Sequence, residues 1–156
     1  LGHCKIDHSQ SGRLCGCGQK GCIEAYASAT GVARTAKEII TSTTQTTLLR
    51  QVADIDNITS KDVFDAAEKG DIVAKEIFDY TGRLLGQKLA DYVHFSSPEA
   101  IILFGGLTKA GHWIMDPIRD AMEENLMPIW KGKIPVSISV LKDSDAAILG
   151  ASSLAW

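Results

Sequence analysis

The first 26 residues contain the feature that most constrains this chain, because they carry all four of its cysteines. Cys15, Cys17 and Cys22 are interspersed with glycines in the run CGCGQKGC. Glycine tolerates tight and left-handed turns, so this backbone can direct three sulfurs toward one point. A structural zinc ion takes four tetrahedral ligands from cysteine and histidine. The pattern therefore predicts a zinc-binding loop.

The fourth zinc ligand stays open on these residues alone. His3 and His8 lie upstream of the clustered cysteines, and Cys4 could complete a site made only of cysteines. All four cysteines fall between Cys4 and Cys22, which favours a reduced metal site over a disulfide framework that would join distant segments.

The composition is that of a globular domain, and it argues against two classes of partner. The chain has 156 residues, of which 45% are hydrophobic and 22% are charged, which suits one domain with one core. Its formal net charge of −3 lacks the basic excess expected for binding nucleic acid or an anionic membrane. No apolar run approaches the roughly 18 residues of a membrane helix. We therefore expect a cytoplasmic protein whose present segment binds neither nucleic acid nor membrane.

Hydrophobic periodicity predicts a helix-rich α/β chain. The predicted helices span residues 24–40, 61–69, 71–95, 114–125 and 143–155, and the predicted strands span residues 100–104 and 134–141. Residues 41–47, TSTTQTT, are expected to form a loop. The strand at 100–104 is expected to be buried and central in its sheet.

Several polar residues and glycines mark the ends and contacts of these helices. Thr59 or Ser60 is expected to cap the helix at 61–69, Asp71 the helix at 71–95, and Ser144 or Asp145 the last helix. Within the long helix, glycines at positions 82 and 86 are four residues apart, which predicts the close approach of another backbone.

The wider sequence around the cysteines resembles the signature of the ROK family, which comprises bacterial sugar kinases and sugar-responsive repressors. The family pattern runs Glu-x-Gly-His, a loop, CxCGxxGCxE and a helix that opens with Tyr-Ala-Ser, and the likeness here covers Leu1 to Ser28. The segments SATGVARTA, IILFGGL and DAAILGA resemble later parts of ROK glucokinases. The loop from His3 to Cys15 is slightly longer than in most members.

The resemblance implies roles for individual residues. His3 keeps the Gly-His context and is therefore our choice of zinc ligand over His8 and Cys4. The implied zinc ligands are His3, Cys15, Cys17 and Cys22. Glu24 matches the family glutamate whose carboxylate accepts hydrogen bonds from sugar hydroxyls. The resemblance implies that His3 also lies on the sugar-binding side of the cleft. Gly105 and Gly106 match a turn that lines the nucleotide side of the cleft.

The resemblance also implies the fold and the chemistry. It predicts an actin-like ATPase, ribonuclease-H-like domain with a zinc-binding loop. The family's phosphate loop and catalytic aspartate precede the matched motif, so residues 1–156 look like a C-terminal sugar- and zinc-binding part, and no catalytic residue is assigned here. The chain alone is expected to be inactive.

Two activities remain open for the intact protein. The first is ATP- and magnesium-dependent phosphorylation of a hexose, with glucose as the first candidate. The second is a sugar-sensing repressor whose DNA-binding helix-turn-helix lies in the absent N-terminal part. A small independent zinc module ranks last. An unpaired strand edge also predicts a homodimer or poor solubility of the isolated segment.

Overall fold

Helices form most of the chain, with a small sheet beside them. The computed structural model describes residues 2–42, 44–52, 54–141 and 143–153. Its α-helices are α1 (Ala29–Ser42), α2 (Ser60–Glu68), α3 (Ile72–Ser96), α4 (His112–Asn125) and α5 (Asp143–Ser153). Short 3-10 helices cover Ile23–Ala25, Leu48–Gln51, Ile55–Asn57 and Gly106–Ala110. Strands β1 (Ile101–Leu103) and β2 (Val136–Ile138) pair in parallel, with Ile101 opposite Val136. The helix-rich α/β prediction is confirmed.

Helix α3 is the central packing element, and α4 lies directly against it. A Cβ atom added to Gly86 would lie 2.3 Å from the carbonyl oxygen of Ile118, and one added to Gly82 would lie 2.7 Å from Cβ of Pro117. Side chains larger than hydrogen would therefore push the two helices apart. This contact confirms the predicted close approach of a second backbone at the two glycines.

Polar caps begin α2 and α3 where the sequence places them. Thr59 accepts a hydrogen bond from Asp62 N, and the Asp62 carboxylate accepts one from Thr59 N at 2.8 Å, which together form a capping box. Asp71 Oδ1 accepts a hydrogen bond from Ala74 N at 2.9 Å. Thr59 and Asp71 are thus confirmed as caps, whereas Ser60 is the first residue of α2.

The first helix begins later than predicted. Glu24 lies in the 3-10 helix Ile23–Ala25, and α1 starts only at Ala29, after Ser28. Ser28 Oγ accepts a hydrogen bond from Gly31 N at 3.0 Å, as an N-cap does. Periodicity cannot reveal this break, because the apolar spacing continues across it.

The loop predicted at residues 41–47 also begins later than expected. Thr41 and Ser42 belong to α1, and their hydroxyls donate hydrogen bonds to Lys37 O at 3.0 Å and Ile39 O at 3.2 Å. Bonding of the hydroxyls to the preceding turn lets these residues remain helical. Thr47 is instead the cap of the 3-10 helix Leu48–Gln51.

The predicted buried, central strand is wrong for this chain. β1 covers Ile101–Leu103, and Ile102 and Phe104 are 64% and 57% exposed. Within the described residues the sheet has two strands, so β1 is an edge strand and not a central one, and the exposure of Ile102 shows that one of its faces is open. An apolar run shows that a strand can be buried, but neighbouring elements decide whether it is.

The last two predicted elements are shorter than expected. β2 covers only Val136–Ile138, within the predicted 134–141. Helix α5 begins at Asp143, so Ser144 and Asp145 lie in its first turn and not at its N-cap. Residues 154 and 155 of the predicted helix lie outside the described residues. Among the helices that the structure describes, none has the length and hydropathy needed to cross a membrane.

Candidate metal centre and substrate site

Two short antiparallel contacts shape the cysteine loop, which is residues 3–22. One pairs Lys5 with Cys22, and the other pairs Leu14 with Lys20. Between them Gly21 has φ +78°, and a Cβ atom there would lie 1.8 Å from the carbonyl oxygen of Asp7. Only glycine can therefore occupy position 21 in this conformation. These contacts bring the residues at the two ends of the loop close together in space.

The side chains of His3, Cys15, Cys17 and Cys22 converge. Their ligand atoms all lie within 4.8 Å of one another. Cys17 Sγ is 3.7 Å from Cys22 Sγ, and Cys15 Sγ is 3.6 Å from His3 Nδ1. A tetrahedral zinc ion with Zn–S bonds of about 2.3 Å requires its ligand atoms to be about 3.7 Å apart. The donor set and these distances fit zinc, and the four cysteines are free thiols.

The other two candidate ligands do not join this group. The exposed Cys4 forms a hydrogen bond with Tyr92 of α3. Burial is the largest cause that raises the pKa of Tyr92, and the hydrogen bond with Cys4 is the second. His8 lines a surface groove together with Lys88 and Asp91. Among the three alternatives left open by the sequence, the geometry favours His3.

The thiols influence each other's protonation. Burial, followed by contacts with Cys17 and Cys15, raises the pKa of Cys22 to about 11. The pKa of Cys17 is lowered, first by a hydrogen bond from the backbone at Gln19. Without a cation, crowded thiolates repel each other and one group keeps its proton. Zinc binds thiolates, so its binding here would release protons.

Glu24 lies beside the convergent group. Its Oε2 atom is 3.3 Å from His3 Nδ1 and 4.0 Å from Cys15 Sγ. Its backbone nitrogen donates a hydrogen bond to Gly2 O at 3.0 Å, which fixes the main chain at this point. The side chain is 52% exposed and borders a recess of about 200 Å³. The structure thus brings the predicted sugar-binding carboxylate next to the predicted metal ligands.

The glycine pair follows β1, and Gly106 begins the 3-10 helix Gly106–Ala110. Gly105 has φ +102°, and no atom lies within 4 Å of where its Cβ would be. A Cβ atom added to Gly106 would be 3.9 Å from Cβ of Ala29, at the start of α1. A cavity of about 480 Å³ is lined by Gly106 and also by Gly2 and Ser28. This open backbone is compatible with the predicted nucleotide-side turn, whose function stays a prediction.

Sequence reasoning missed the buried residues that hold the loop against α1. Arg13 is only 7% exposed, and Tyr26 is buried beside it. Tyr26 Oη donates to Asp7 Oδ2 at 2.7 Å, and hydrogen bonds from Ser9 and then Tyr26 lower the pKa of Asp7 to about 2. No local pattern indicated that Arg13 would be buried, because its partners Ala25 and Glu38 lie 12 and 25 residues further along the chain.

Comparisons with known proteins support the sequence resemblance. The model of the ROK family matches residues 1–156. A glucokinase of Thermotoga maritima is 34% identical over 154 residues, which are 99% of this chain and 48% of that protein. The DNA-binding transcriptional dual regulator NagC of Escherichia coli is 27% identical over 154 residues, 99% of this chain and 36% of NagC.

A solved structure gives the same result. The crystal structure of a ROK family glucokinase from Streptomyces griseus, in complex with glucose and AMPPNP, matches with a TM-score of 0.79 and 32% identity. The match covers 98% of this chain and 49% of that one. The chain spans about half the length of the glucokinases that it matches. These matches confirm the resemblance indicated by the cysteine motif.

Proposed function

Because this chain belongs to the ROK family, we propose that it forms the C-terminal sugar- and zinc-binding part of an ATP-dependent sugar kinase. The substrate is a hexose, with glucose as the first candidate. Support comes from the glucokinase of Thermotoga maritima and from the Streptomyces griseus glucokinase that was crystallised with glucose and AMPPNP. The catalytic aspartate and the phosphate loop belong to the remainder of the intact enzyme, so this chain alone is inactive.

The observation that carries the proposal is the position of Glu24 beside the cysteine and histidine group. A carboxylate accepts hydrogen bonds from sugar hydroxyls, and Glu24 is half-exposed at a recess. Its Oε2 atom is 3.3 Å from His3 Nδ1, and this short distance supports a shared sugar-binding side for the two residues. Glu24 therefore orients the sugar, with His3 next to it.

The metal in this proposal is structural zinc. His3, Cys15, Cys17 and Cys22 would hold it, and four protein ligands leave no open position for a catalytic water. When bound, the ion supplies rigidity to the loop that carries Glu24. A rigid loop lowers the entropy lost when the sugar is oriented for reaction.

The nucleotide belongs on the side of Gly105 and Gly106. ATP with Mg²⁺ donates the phosphoryl group, and transfer requires the sugar hydroxyl and the phosphate to be held close together. An open glycine backbone lets a nucleotide approach the main chain closely. In this mechanism the chain binds and orients both reactants, and the base that removes the hydroxyl proton comes from the other half.

A sugar-sensing transcriptional repressor is the second candidate. NagC, a DNA-binding transcriptional dual regulator, is similar to this chain over 99% of its length, so the likeness to glucokinases does not by itself separate the two classes. The gene sequence upstream of this segment distinguishes them. A repressor would encode a helix-turn-helix there, and a kinase would encode a glycine-rich phosphate loop.

The direct test is phosphorylation of a hexose panel by the full-length protein. We expect MgATP-dependent formation of a hexose phosphate, with glucose among the best substrates, in an assay coupled to ADP release. A mock purification of the same host without the gene is the control. If no hexose is phosphorylated, the kinase proposal is wrong and the repressor becomes the first candidate.

A further inference from the structure

Arg13 is a buried cation inside the cysteine loop. Removing a guanidinium from water is costly unless its donors are bound. Nη2 donates to Glu38 Oε2 at 2.6 Å and to Thr35 Oγ1 at 2.8 Å. Nη1 donates to Ala25 O at 3.1 Å and to Gly31 O at 3.4 Å. The guanidinium therefore joins the loop to three turns of α1.

Tyr26 completes this buried contact from the other side. The Arg13 guanidinium lies over the Tyr26 ring, 4.5 Å from its centroid. Tyr26 Oη accepts a hydrogen bond from Arg13 N at 3.0 Å and donates one to Asp7 Oδ2 at 2.7 Å. One phenol thus connects three separate segments of the loop. Burial, the largest cause, raises the pKa of Tyr26, so its hydroxyl remains a donor at neutral pH.

These contacts hold the main chain immediately after Glu24. Ala25, whose carbonyl binds the guanidinium, is the next residue after Glu24, and Tyr26 follows it. Arg13 itself precedes Cys15 by two residues. None of the atoms in these contacts belongs to the four converging ligand side chains. The contacts of Arg13 therefore hold the loop independently of the converging cysteines and histidine.

We propose that Arg13 is a positioning residue for Glu24. Hydrogen-bonded through its backbone N–H to the Tyr26 hydroxyl, stacked on the Tyr26 ring and bonded to the Ala25 carbonyl, it sets the direction in which the Glu24 carboxylate faces the sugar. Arg13 acts through the main chain and does not touch the substrate. This inference rests on the proposed sugar-binding role of Glu24.

The test uses Arg13→Lys and Tyr26→Phe in the full-length protein. Lysine keeps the charge but loses the planar fork and the stacking, and phenylalanine keeps the ring but loses the hydroxyl. For both variants we expect KM for glucose to rise about tenfold or more, with kcat and KM for ATP within about twofold of wild type. If Arg13→Lys does not fold, Tyr26→Phe decides the question.

Two readouts separate positioning from a general loss of structure. The absorption spectrum of the cobalt-substituted protein reports the metal site and should be unchanged. Hydrogen exchange of the amides at Ala25 and Tyr26, which donate to Cys22 O and Ile23 O, should become about tenfold faster or more. The matched control is Arg83→Lys, because Arg83 pairs with Glu124 at 2.5 Å between α3 and α4. This control should keep wild-type values throughout.

Two results would overturn the inference. Unchanged KM for glucose and unchanged exchange would show that Arg13 does not position Glu24. Loss of the cobalt spectrum together with the rise in KM would show that Arg13 acts on the metal loop instead. If the wild-type protein phosphorylates no hexose, the proposed function fails separately, and exchange at the two amides then decides whether Arg13 fixes the segment after Glu24.

Discussion

Replacing Glu24 with alanine tests the sugar site most directly. A hydrogen bond to a charged group contributes about 1.5–3 kcal/mol. Glu24 is 52% exposed, so water competes for its carboxylate and the lower end of that range applies. A loss of about 1.4 kcal/mol is a tenfold effect, and we therefore expect kcat/KM for glucose to fall about tenfold or more in the full-length protein.

The assay compares Glu24→Ala with Glu24→Gln and with Glu76→Ala, an exposed position on α3. Glutamine retains neutral hydrogen bonds, which are roughly half as strong as charge-assisted bonds, so its defect should be smaller. Zinc content and KM for ATP should stay near wild-type values, because Glu24 is outside the converging ligand group. A wild-type dependence of rate on glucose in Glu24→Ala would remove this residue from the sugar site.

Four other expectations follow from the described contacts. The full-length protein should contain one structural zinc ion per chain by elemental analysis, and Cys15→Ser should lose zinc and melt at a lower temperature; retained zinc would contradict the assignment. Gly86→Ala should lower the free energy of unfolding by about 1–3 kcal/mol in urea titrations, because the alanine Cβ would lie 2.3 Å from Ile118 O. Unchanged stability would show that α3 and α4 can move apart without cost. Asp7 has a pKa of about 2 in the folded chain, against 3.8 normally, so its stabilising effect is complete above about pH 4 and is lost as pH falls toward 2. An NMR titration of the Asp7 carboxyl should show this low pKa, and Tyr26→Phe should raise it because the hydrogen bond from the Tyr26 hydroxyl is lost. The isolated segment should form a homodimer or be poorly soluble, because the two-stranded sheet among its described residues has unpaired edges; sedimentation equilibrium would detect a dimer as twice the monomer mass, and a well-behaved monomer over a wide concentration range would contradict the prediction.

Sequence patterns predicted correctly those features that depend only on residues close together in the chain. The caps at Thr59 and Asp71 depend on side chains that bond within three residues, and the structure contains both. The glycines at positions 82 and 86 indicated close packing because glycine destabilises the interior of a helix and is used there where another backbone approaches closely. The clustered cysteines likewise converge because the loop between them is short and rich in glycine. The ROK resemblance was carried by the same compact motif.

The tertiary structure decided what depends on residues distant in the chain. The residue pattern left three candidates for the fourth metal ligand and the ROK resemblance favoured His3; in the folded loop His3 joins the cysteine group, whereas Cys4 and His8 do not. The exposure of Ile102 was unpredictable, because burial depends on which elements lie against a strand. No role for Arg13 was indicated by the sequence, and only folding brings Tyr26 and the residues of α1 around it. A buried charge needs partners from several segments, and no pattern along one segment can reveal that they will meet.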